Sequence, residues 1–174
     1  MQEVSSPDAI KDLFNSIQSF LNEHNTISVA TTDNQELSSA TVFYVSDEKL
    51  NIFFISFPDS RHIQHILKNS KVAATINEDV KDWLEISGLQ LKGKVHKVSE
   101  QDQEFVLDIY KKKFSYIETL LRAPKTDDER KIADQFRAIS VYRLMPDWVR
   151  LIDNASGFGA KREMSLKNKG WEMS

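Results

Sequence analysis

The most informative absence is cysteine, because the 174-residue chain contains none. This excludes a disulfide framework, a thiolate nucleophile and a zinc site built on cysteine, and it is typical of a reducing compartment. No apolar run reaches the roughly 18 residues that a membrane-spanning helix needs. The N-terminus also lacks the apolar core of a signal peptide. We therefore expect a cytoplasmic protein without a membrane partner.

Glycine and proline are also scarce, with 5 and 4 residues, while hydrophobic residues make up 40% of the chain. This composition argues against disorder, and the length indicates one domain spanning residues 1–174. Because the formal net charge is −3, we expect no nucleic-acid partner. Residues 61–99 have 7 basic and 4 acidic side chains. Such a mildly basic stretch suits one compact anion such as phosphate, or else the charges are scattered without functional meaning.

Hydrophobic periodicity predicts a mainly β protein with flanking helices. The capping sequence Ser6-Pro7-Asp8 starts a helix over about 7–23. Alternating and β-branched segments predict strands over 26–32, 37–45, 50–56, 71–76 and 83–98. Gly88 in the long strand indicates a bulge or a close backbone approach.

A helical insertion over about 100–136, interrupted at Pro124, precedes the last predicted strand. That strand covers residues 138–144, is kinked or ended by Pro146, and resumes over 148–152; the tail from Asp153 onward is polar. Because the strands follow one another through short links, they should pair antiparallel. Five or six such strands predict a small closed barrel, with a flat sheet as the alternative.

Residues 56–62, with the sequence Ser-Phe-Pro-Asp-Ser-Arg-His, connect a strand to the start of a helix. Unpaired N–H groups and the helix dipole favour an anion at such a position. Ser60 can donate a hydroxyl, Arg61 a forked pair of N–H groups and His62 an imidazole N–H. The segment therefore predicts a phosphate site, with a plain capped helix and a surface arginine as the alternative.

Other candidate residues carry weaker signals. His62 and His65 lie three positions apart on one predicted helix, but without a third ligand they predict no metal site. Gln90 lies on the polar face of an alternating strand, where it would meet a ligand ring or simply solvent. Trp148 and Arg150 share a strand face, which suits a flat anionic ligand, a subunit contact or, for the tryptophan, ordinary core packing. No pattern identifies a catalytic acid or base.

The order of several segments is informative beyond any one of them. These are Ala40-Thr41-Val42-Phe43-Tyr44-Val45, then Leu50-Asn51-Ile52-Phe53-Phe54-Ile55-Ser56, then Ser60-Arg61-His62, then Lys71-Val72-Ala73-Ala74-Thr75-Ile76, then Leu91-Lys92-Gly93-Lys94-Val95. In this order they resemble the FMN-binding split barrels of the pyridoxamine 5′-phosphate oxidase-like superfamily. The segment from Asp153 to Gly159 is similar to the tail of one small bacterial branch of that superfamily.

The resemblance implies a six-stranded antiparallel split β-barrel that forms a homodimer, with FMN in a groove between the protomers. It implies a flavin-dependent oxidoreductase acting on a small molecule. In the implied site, the phosphate is held by Ser56, Ser60, Arg61 and His62. The isoalloxazine is flanked by Thr41 and Phe54. Gln90 lies near the ring or the ribityl chain, and Trp148 comes from the partner chain.

Two departures from the family pattern matter for function. His62 stands where many relatives have lysine, which removes a fixed positive charge near neutral pH. The arginine-rich pattern of true pyridoxamine phosphate oxidases is missing around Gln90, so that named activity is not predicted. Two alternatives follow: a haem- or deazaflavin-binding module, with His62 or His65 as the haem ligand, and a non-enzymatic dimeric protein without a ligand.

Overall fold

A computed structural model describes residues 6–136, 138–168 and 170–173 of the chain. Its elements are, in chain order, α1 (Pro7–Glu23), β1 (Thr26–Thr32), β2 (Leu37–Ser46), β3 (Ile52–Ser56), α2 (Arg61–Lys68), β4 (Lys71–Asn77), β5 (Ser87–Lys97), α3 (Glu100–Lys113), α4 (Ser115–Arg122), α5 (Asp127–Gln135), β6 (Ser140–Asp153), β7 (Lys161–Lys167) and β8 (Gly170–Met173). Two short 3-10 helices, Trp83–Glu85 and Asn154–Ser156, lie between β4 and β5 and after β6. Among the described residues, no helix has the length and apolar character needed to cross a membrane.

The first six strands close into an antiparallel barrel. They are hydrogen-bonded in the order β3-β2-β1-β4-β5-β6, and β3 also pairs with β6 from Ile52 opposite Leu144 to Ser56 opposite Ser140. The long strand β6 therefore bonds β3 near its start, while its second half bonds β7 from Trp148 onward. The closed barrel confirms the predicted architecture and excludes the flat-sheet alternative. Closure also satisfies backbone groups that would otherwise form open edges.

The barrel interior forms one apolar core. Strands β1 and β4 alternate strictly between buried and less buried positions, as a strand with one face inside must. Tyr44 and Phe54 are completely buried there. Helix α1 packs its apolar stripe, including Leu13 and Ile17, against the same core. Burial of each such side chain stabilises the fold by about 1.5–3 kcal/mol.

The helical insertion α3–α5 packs on the outside of the barrel and has its own core. Val45, Phe53 and Val141 project outward from β2, β3 and β6 into a second cluster with Tyr110. The Tyr110 hydroxyl donates to the Phe53 carbonyl (3.1 Å). This bond satisfies a buried polar group and anchors the insertion to the strands on which it lies.

The region around residue 83 corrects one predicted element. The strand expected over 83–98 begins only at Ser87, after the 3-10 turn Trp83–Glu85. The Asp82 carboxylate accepts the N–H of Leu84 (2.9 Å), and this local bond competes with strand formation. The alternation of apolar and polar residues does not predict such a cap.

The tail contains two strands that the sequence did not predict. β7 pairs with β6, and β8 pairs with β7, so the sheet has eight strands. Their side chains are mostly polar and exposed, but Met164 in β7 is completely buried in the barrel core. Their polar composition therefore did not predict these two strands, of which β8 is the edge of the sheet.

Glycine marks a close approach at both positions in β5. A Cβ at Gly88 would lie 2.9 Å from the Ile76 carbonyl oxygen, so Gly88 permits a close backbone approach, one of the two predicted roles. The register shift lies between Lys92 and Gly93 instead, where Gly93 faces Pro146. Strand β6 continues through Pro146 because the register shift lies at this position, where the ladder does not need the N–H group that proline lacks.

Candidate functional site

The predicted phosphate segment lies where β3 ends and α2 begins. Ser60 is the N-cap residue of α2, but its side chain makes no capping bond. Its hydroxyl donates instead to the Phe57 carbonyl (2.8 Å). Within the described part of the chain, the N–H groups of residues 61–63 therefore donate to no side-chain cap. A helix start in this state can bind an anion through those groups.

Three of the four predicted phosphate residues form one polar cluster. The Ser56 hydroxyl oxygen lies 2.8 Å from His62 Nε2 and 3.1 Å from the Ser60 hydroxyl oxygen, and the Ser60 oxygen lies 3.4 Å from the same imidazole nitrogen. Arg61 is exposed beside them, and among the described residues it has no ion-pair partner. We call Ser56, Ser60, Arg61 and His62 the cradle.

The surroundings of the His62 imidazole favour its neutral form. Burial lowers the pKa of His62 below its ordinary value, and the charge of nearby His65 lowers the pKa further. A neutral imidazole accepts a hydroxyl hydrogen at one ring nitrogen, which fits the short contact with Ser56. The fixed positive charge of the cradle is therefore Arg61 alone.

His65 belongs to the barrel core and not to the cradle. It is 5% exposed, and its Nδ1 lies 3.4 Å from the Thr31 hydroxyl oxygen inside the barrel. Among the described residues, no group of three or more histidines, cysteines or acidic residues is placed to hold a metal ion. The pair His62 and His65 thus lacks the third ligand that a metal would need.

Thr41 and Gln90 lie in one polar row across the outside of the barrel. The paired positions run through β2, β1, β4, β5, β6 and β7 as Thr41, Ser28, Thr75, Gln90, Arg150 and Glu163. Some neighbours in this row bond each other: the Ser28 and Thr41 hydroxyl oxygens lie 3.0 Å apart, and Arg150 Nη1 donates to Gln90 Oε1 (3.3 Å). The row is a continuous polar surface across six strands.

Trp148 lies beside this row and touches two cations. Lys92 Nζ is 4.6 Å and Arg150 Cζ is 4.9 Å from the centre of its ring, distances at which a cation is attracted by the ring. Arg150 is also held by Glu163, because its Nε donates to the Glu163 carboxylate (2.7 Å). The predicted shared face of Trp148 and Arg150 is therefore present, and the tryptophan is outside the core.

Phe54 requires a correction. Its side chain is completely buried in the barrel and lies 5.7 Å from the Tyr142 ring, so it offers no surface to a ligand ring. The reason is alternation along β3, where positions 52, 54 and 56 all face inward. Ser56 follows the same inward face but lies at the end of the strand, where it reaches the cradle.

The sequence alone missed two parts of this surface. Ser28 and Thr75 follow the period of two in β1 and β4, so alternation could have placed them on the outer face. Glu163 lies in the polar tail, for which no strand is predicted, and no local signal relates it to Arg150. Strand pairing across 13 residues of chain brings the two together.

Two cavities of the described part of the chain lie away from the predicted site residues. A cavity of about 380 Å³ is enclosed by α3, α4, α5 and the start of β6, and another of about 630 Å³ lies between the β2–β3 turn, α1 and α3. Neither is lined by a predicted site residue. The cradle and the polar row are open surfaces of one protomer.

Comparison with known proteins agrees with this architecture. The family model for pyridoxamine 5′-phosphate oxidase matches residues 13–153, a span that includes the cradle, the barrel strands and Trp148. The chain belongs to this family. A relative named UPF0306 protein, from Klebsiella pneumoniae (strain 342), is 28% identical over 143 residues, which cover 82% of this chain and 86% of the relative.

Solved structures share the fold of this family member at low sequence identity. ChuZ from Campylobacter jejuni has a TM-score of 0.68 and 15% identity, and the match covers 99% of this chain and 65% of ChuZ. HutZ, the haem storage protein from Vibrio cholerae, has a TM-score of 0.58 and 20% identity over 76% of this chain and 88% of HutZ. At these identities the likeness establishes a common fold.

Proposed function

We propose that this protein binds FMN as a homodimer and acts in the cytoplasm as a flavin-dependent oxidoreductase on a small organic molecule. The observation that carries the proposal is the start of α2, whose N–H groups receive no side-chain cap beside the cluster of Ser56, Ser60 and His62. Membership of the pyridoxamine 5′-phosphate oxidase family supports a flavin phosphate as the anion.

The cradle residues fit a phosphate group by their chemistry. Arg61 supplies forked N–H donors with a fixed charge, which bind phosphate oxygens more strongly than neutral donors do. The Ser56 and Ser60 hydroxyls rotate to donate, and first-turn N–H groups complete the donor set. His62 donates to a phosphate oxygen once it takes up a proton.

The outer polar row fits the remainder of the cofactor. Thr41 and Gln90 offer hydrogen-bonding groups to a ring edge, and Trp148 offers a flat apolar surface. Bound FMN supplies the redox chemistry, while the protein binds and orients it. Because the two cavities described above, within the described residues, include neither the cradle nor the row, we infer that a second copy covers the flavin ring. That inference is the basis for proposing a homodimer.

The test is FMN titration of wild-type protein and of Arg61→Ala. Loss of the forked contact should weaken FMN binding by about 1.5–3 kcal/mol, measured by quenching of flavin fluorescence. Arg122→Ala is the matched control, because Arg122 is exposed on α4 and distant in sequence from the cradle. Equal affinity in Arg61→Ala and wild type would refute the phosphate assignment, and a wild-type protein that takes up no FMN would refute the function.

Haem is the second candidate, because the fold is shared with the haem storage protein HutZ. The observed histidines favour it less, since His65 is buried and bonded to Thr31 and His62 Nε2 contacts Ser56. Haem titration of wild type, His62→Ala and His65→Ala decides between the candidates. A Soret band that one of these variants loses would favour haem over FMN.

A further inference from the structure

An exposed apolar patch lies at the end of the barrel away from the cradle. It consists of Trp83, Leu84 and Ile86 in the β4–β5 connection and Phe158 after β6, which are 73%, 58%, 41% and 72% exposed. The connection follows the end of β4, whereas α2 leads from the cradle to the start of β4. Clusters of exposed large apolar side chains mark surfaces that contact a partner.

A buried asparagine holds the two segments of this patch together. Asn154 is 8% exposed, its Nδ2 donates to the Trp83 carbonyl (2.6 Å), and its Oδ1 accepts the N–H of Gly159 (3.1 Å). Its backbone N–H donates to the Ile86 carbonyl (2.9 Å). The bonds therefore fix two loops whose large apolar side chains face solvent. A surface organised before binding loses less entropy when a partner docks.

The β4–β5 hairpin also has opposite charges at its two ends. The connection over residues 78–86 has 4 acidic side chains and 1 lysine, and Asp79 and Glu85 are exposed. At the other end, Lys71 and Lys94 are exposed and directly opposite each other in the register. Like charges in this position repel, and among the described residues neither lysine has an ion-pair partner.

One protomer cannot bring these two ends together. Strand β4 has seven residues, which separate its ends by roughly 20 Å. Between them, the outer face has the exposed, paired alanines Ala30 and Ala73. The connection end has large exposed rings and acidic side chains. The face that runs from Ala30 and Ala73 towards the other end has small side chains and then lysines. The two regions are therefore complementary in both size and charge.

We propose that the apolar patch and its acidic connection dock on the Lys71–Lys94 end of a second copy of this chain. A two-fold axis repeats the contact, so each protomer gives one patch and receives the other. This inference rests on the proposed homodimer and specifies its interface. Because α2 begins at the cradle and leads to Lys71, this interface adjoins the far end of the helix that carries the anion site.

The test reverses each charged end separately. The double variant Lys71→Glu/Lys94→Glu is acidic at both ends, and Asp79→Lys/Glu85→Lys is basic at both ends. Each variant alone meets two repulsive contacts in a two-fold dimer, whereas a mixture of the two forms heterodimers with two attractive contacts. In sedimentation equilibrium we expect each variant to dimerise at least about tenfold more weakly than wild type, and the mixture to recover the wild-type mass.

Two further variants separate docking from folding. Lys11→Glu/Lys112→Glu changes two exposed lysines away from both ends and should dimerise as wild type does. Trp83→Ser should weaken dimerisation, while the Tm measured at concentrations where both proteins are monomeric stays that of wild type, because the ring is mostly exposed in one protomer. Dimers of wild-type strength in both reversed variants, or a mixture that stays monomeric, would overturn the inference.

The readout is mass, so it does not depend on flavin. Recovery of the dimer in the mixture without FMN uptake by wild type would leave this interface standing and remove the proposed cofactor. FMN uptake by wild type, together with a mixture of the two reversed variants that stays monomeric, would support the proposed cofactor and overturn this interface. A last measurement is the sedimentation of wild type with neutral phosphatidylcholine vesicles. If wild type sediments with the vesicles, and Trp83→Ser does not but still forms the dimer, the patch binds a membrane and the docking proposal is overturned.

Discussion

His62 is the residue of the cradle whose state depends most on its surroundings. The sequence predicted Ser60, Arg61 and His62 as neighbours because they are consecutive at a helix start. It could not predict that the pKa of His62 is lowered, because the burial that is the main cause comes from the folded chain. The residue types were therefore predictable, while the burial of the imidazole was not.

This state of His62 predicts a pH dependence of FMN binding. Burial lowers the pKa in the free protein, and a bound phosphate dianion stabilises the imidazolium and raises that pKa, so binding takes up a proton. Affinity should therefore rise as the pH falls from about 8 to 6. The measurement is FMN affinity across this range for wild type and for His62→Gln, which keeps a polar side chain but does not titrate.

The phosphate of FMN itself titrates near pH 6, and this contribution is common to both proteins. The expected result is a steeper gain of affinity in wild type than in His62→Gln. Parallel profiles would mean that His62 does not contact the phosphate.

At the scale of elements, helices followed their local signals more closely than strands did. The helix predicted over 7–23 has those bounds, because Ser6 caps it and Pro7 occupies its first turn. Strand β5 started four residues later than predicted, since a carboxylate cap at Asp82 replaced its first residues by a 3-10 turn. Caps act over three or four residues, and alternation says nothing about them.

The pairing of β5 with β6 depends on one glycine. A Cβ at Gly93 would lie 2.3 Å from the Met145 carbonyl oxygen, so Gly93→Ala must displace backbone. We expect a loss of about 3 kcal/mol in the free energy of unfolding, measured by urea denaturation. His96→Ala, an exposed position on the same strand, should change it by less than about 0.5 kcal/mol. Similar midpoints for the two variants would contradict the close approach.

At the scale of the whole molecule, barrel closure decides which side chains can meet a ligand. Closure between β3 and β6 turns Phe54 inward against Tyr142, and it leaves Thr41, Gln90 and Trp148 on the outside. The resemblance to split barrels led to the correct architecture but placed Phe54 at the flavin. Family position alone did not distinguish the two faces of β3.

The buried position of Phe54 gives a prediction that separates stability from binding. Phe54→Leu should lower the free energy of unfolding by about 1–2 kcal/mol through lost packing, while the folded protein keeps the FMN affinity of wild type. Phe105→Leu, at a position 59% exposed, is the control and should keep both. Weaker FMN binding at unchanged stability would place Phe54 at the ring after all.

The sequence by itself determined the residue chemistry at the start of α2 and the antiparallel pairing of the first strands. These follow from capping, period and short links, all of which act between residues close in the chain. Only the tertiary structure decided the closure of the barrel between β3 and β6, the row from Thr41 to Glu163, the inward side of β3, the strands in the tail and the asparagine that organises the apolar patch. Each of these depends on strand register, because one step of register exchanges the two faces of a strand and residues distant in the chain set that step.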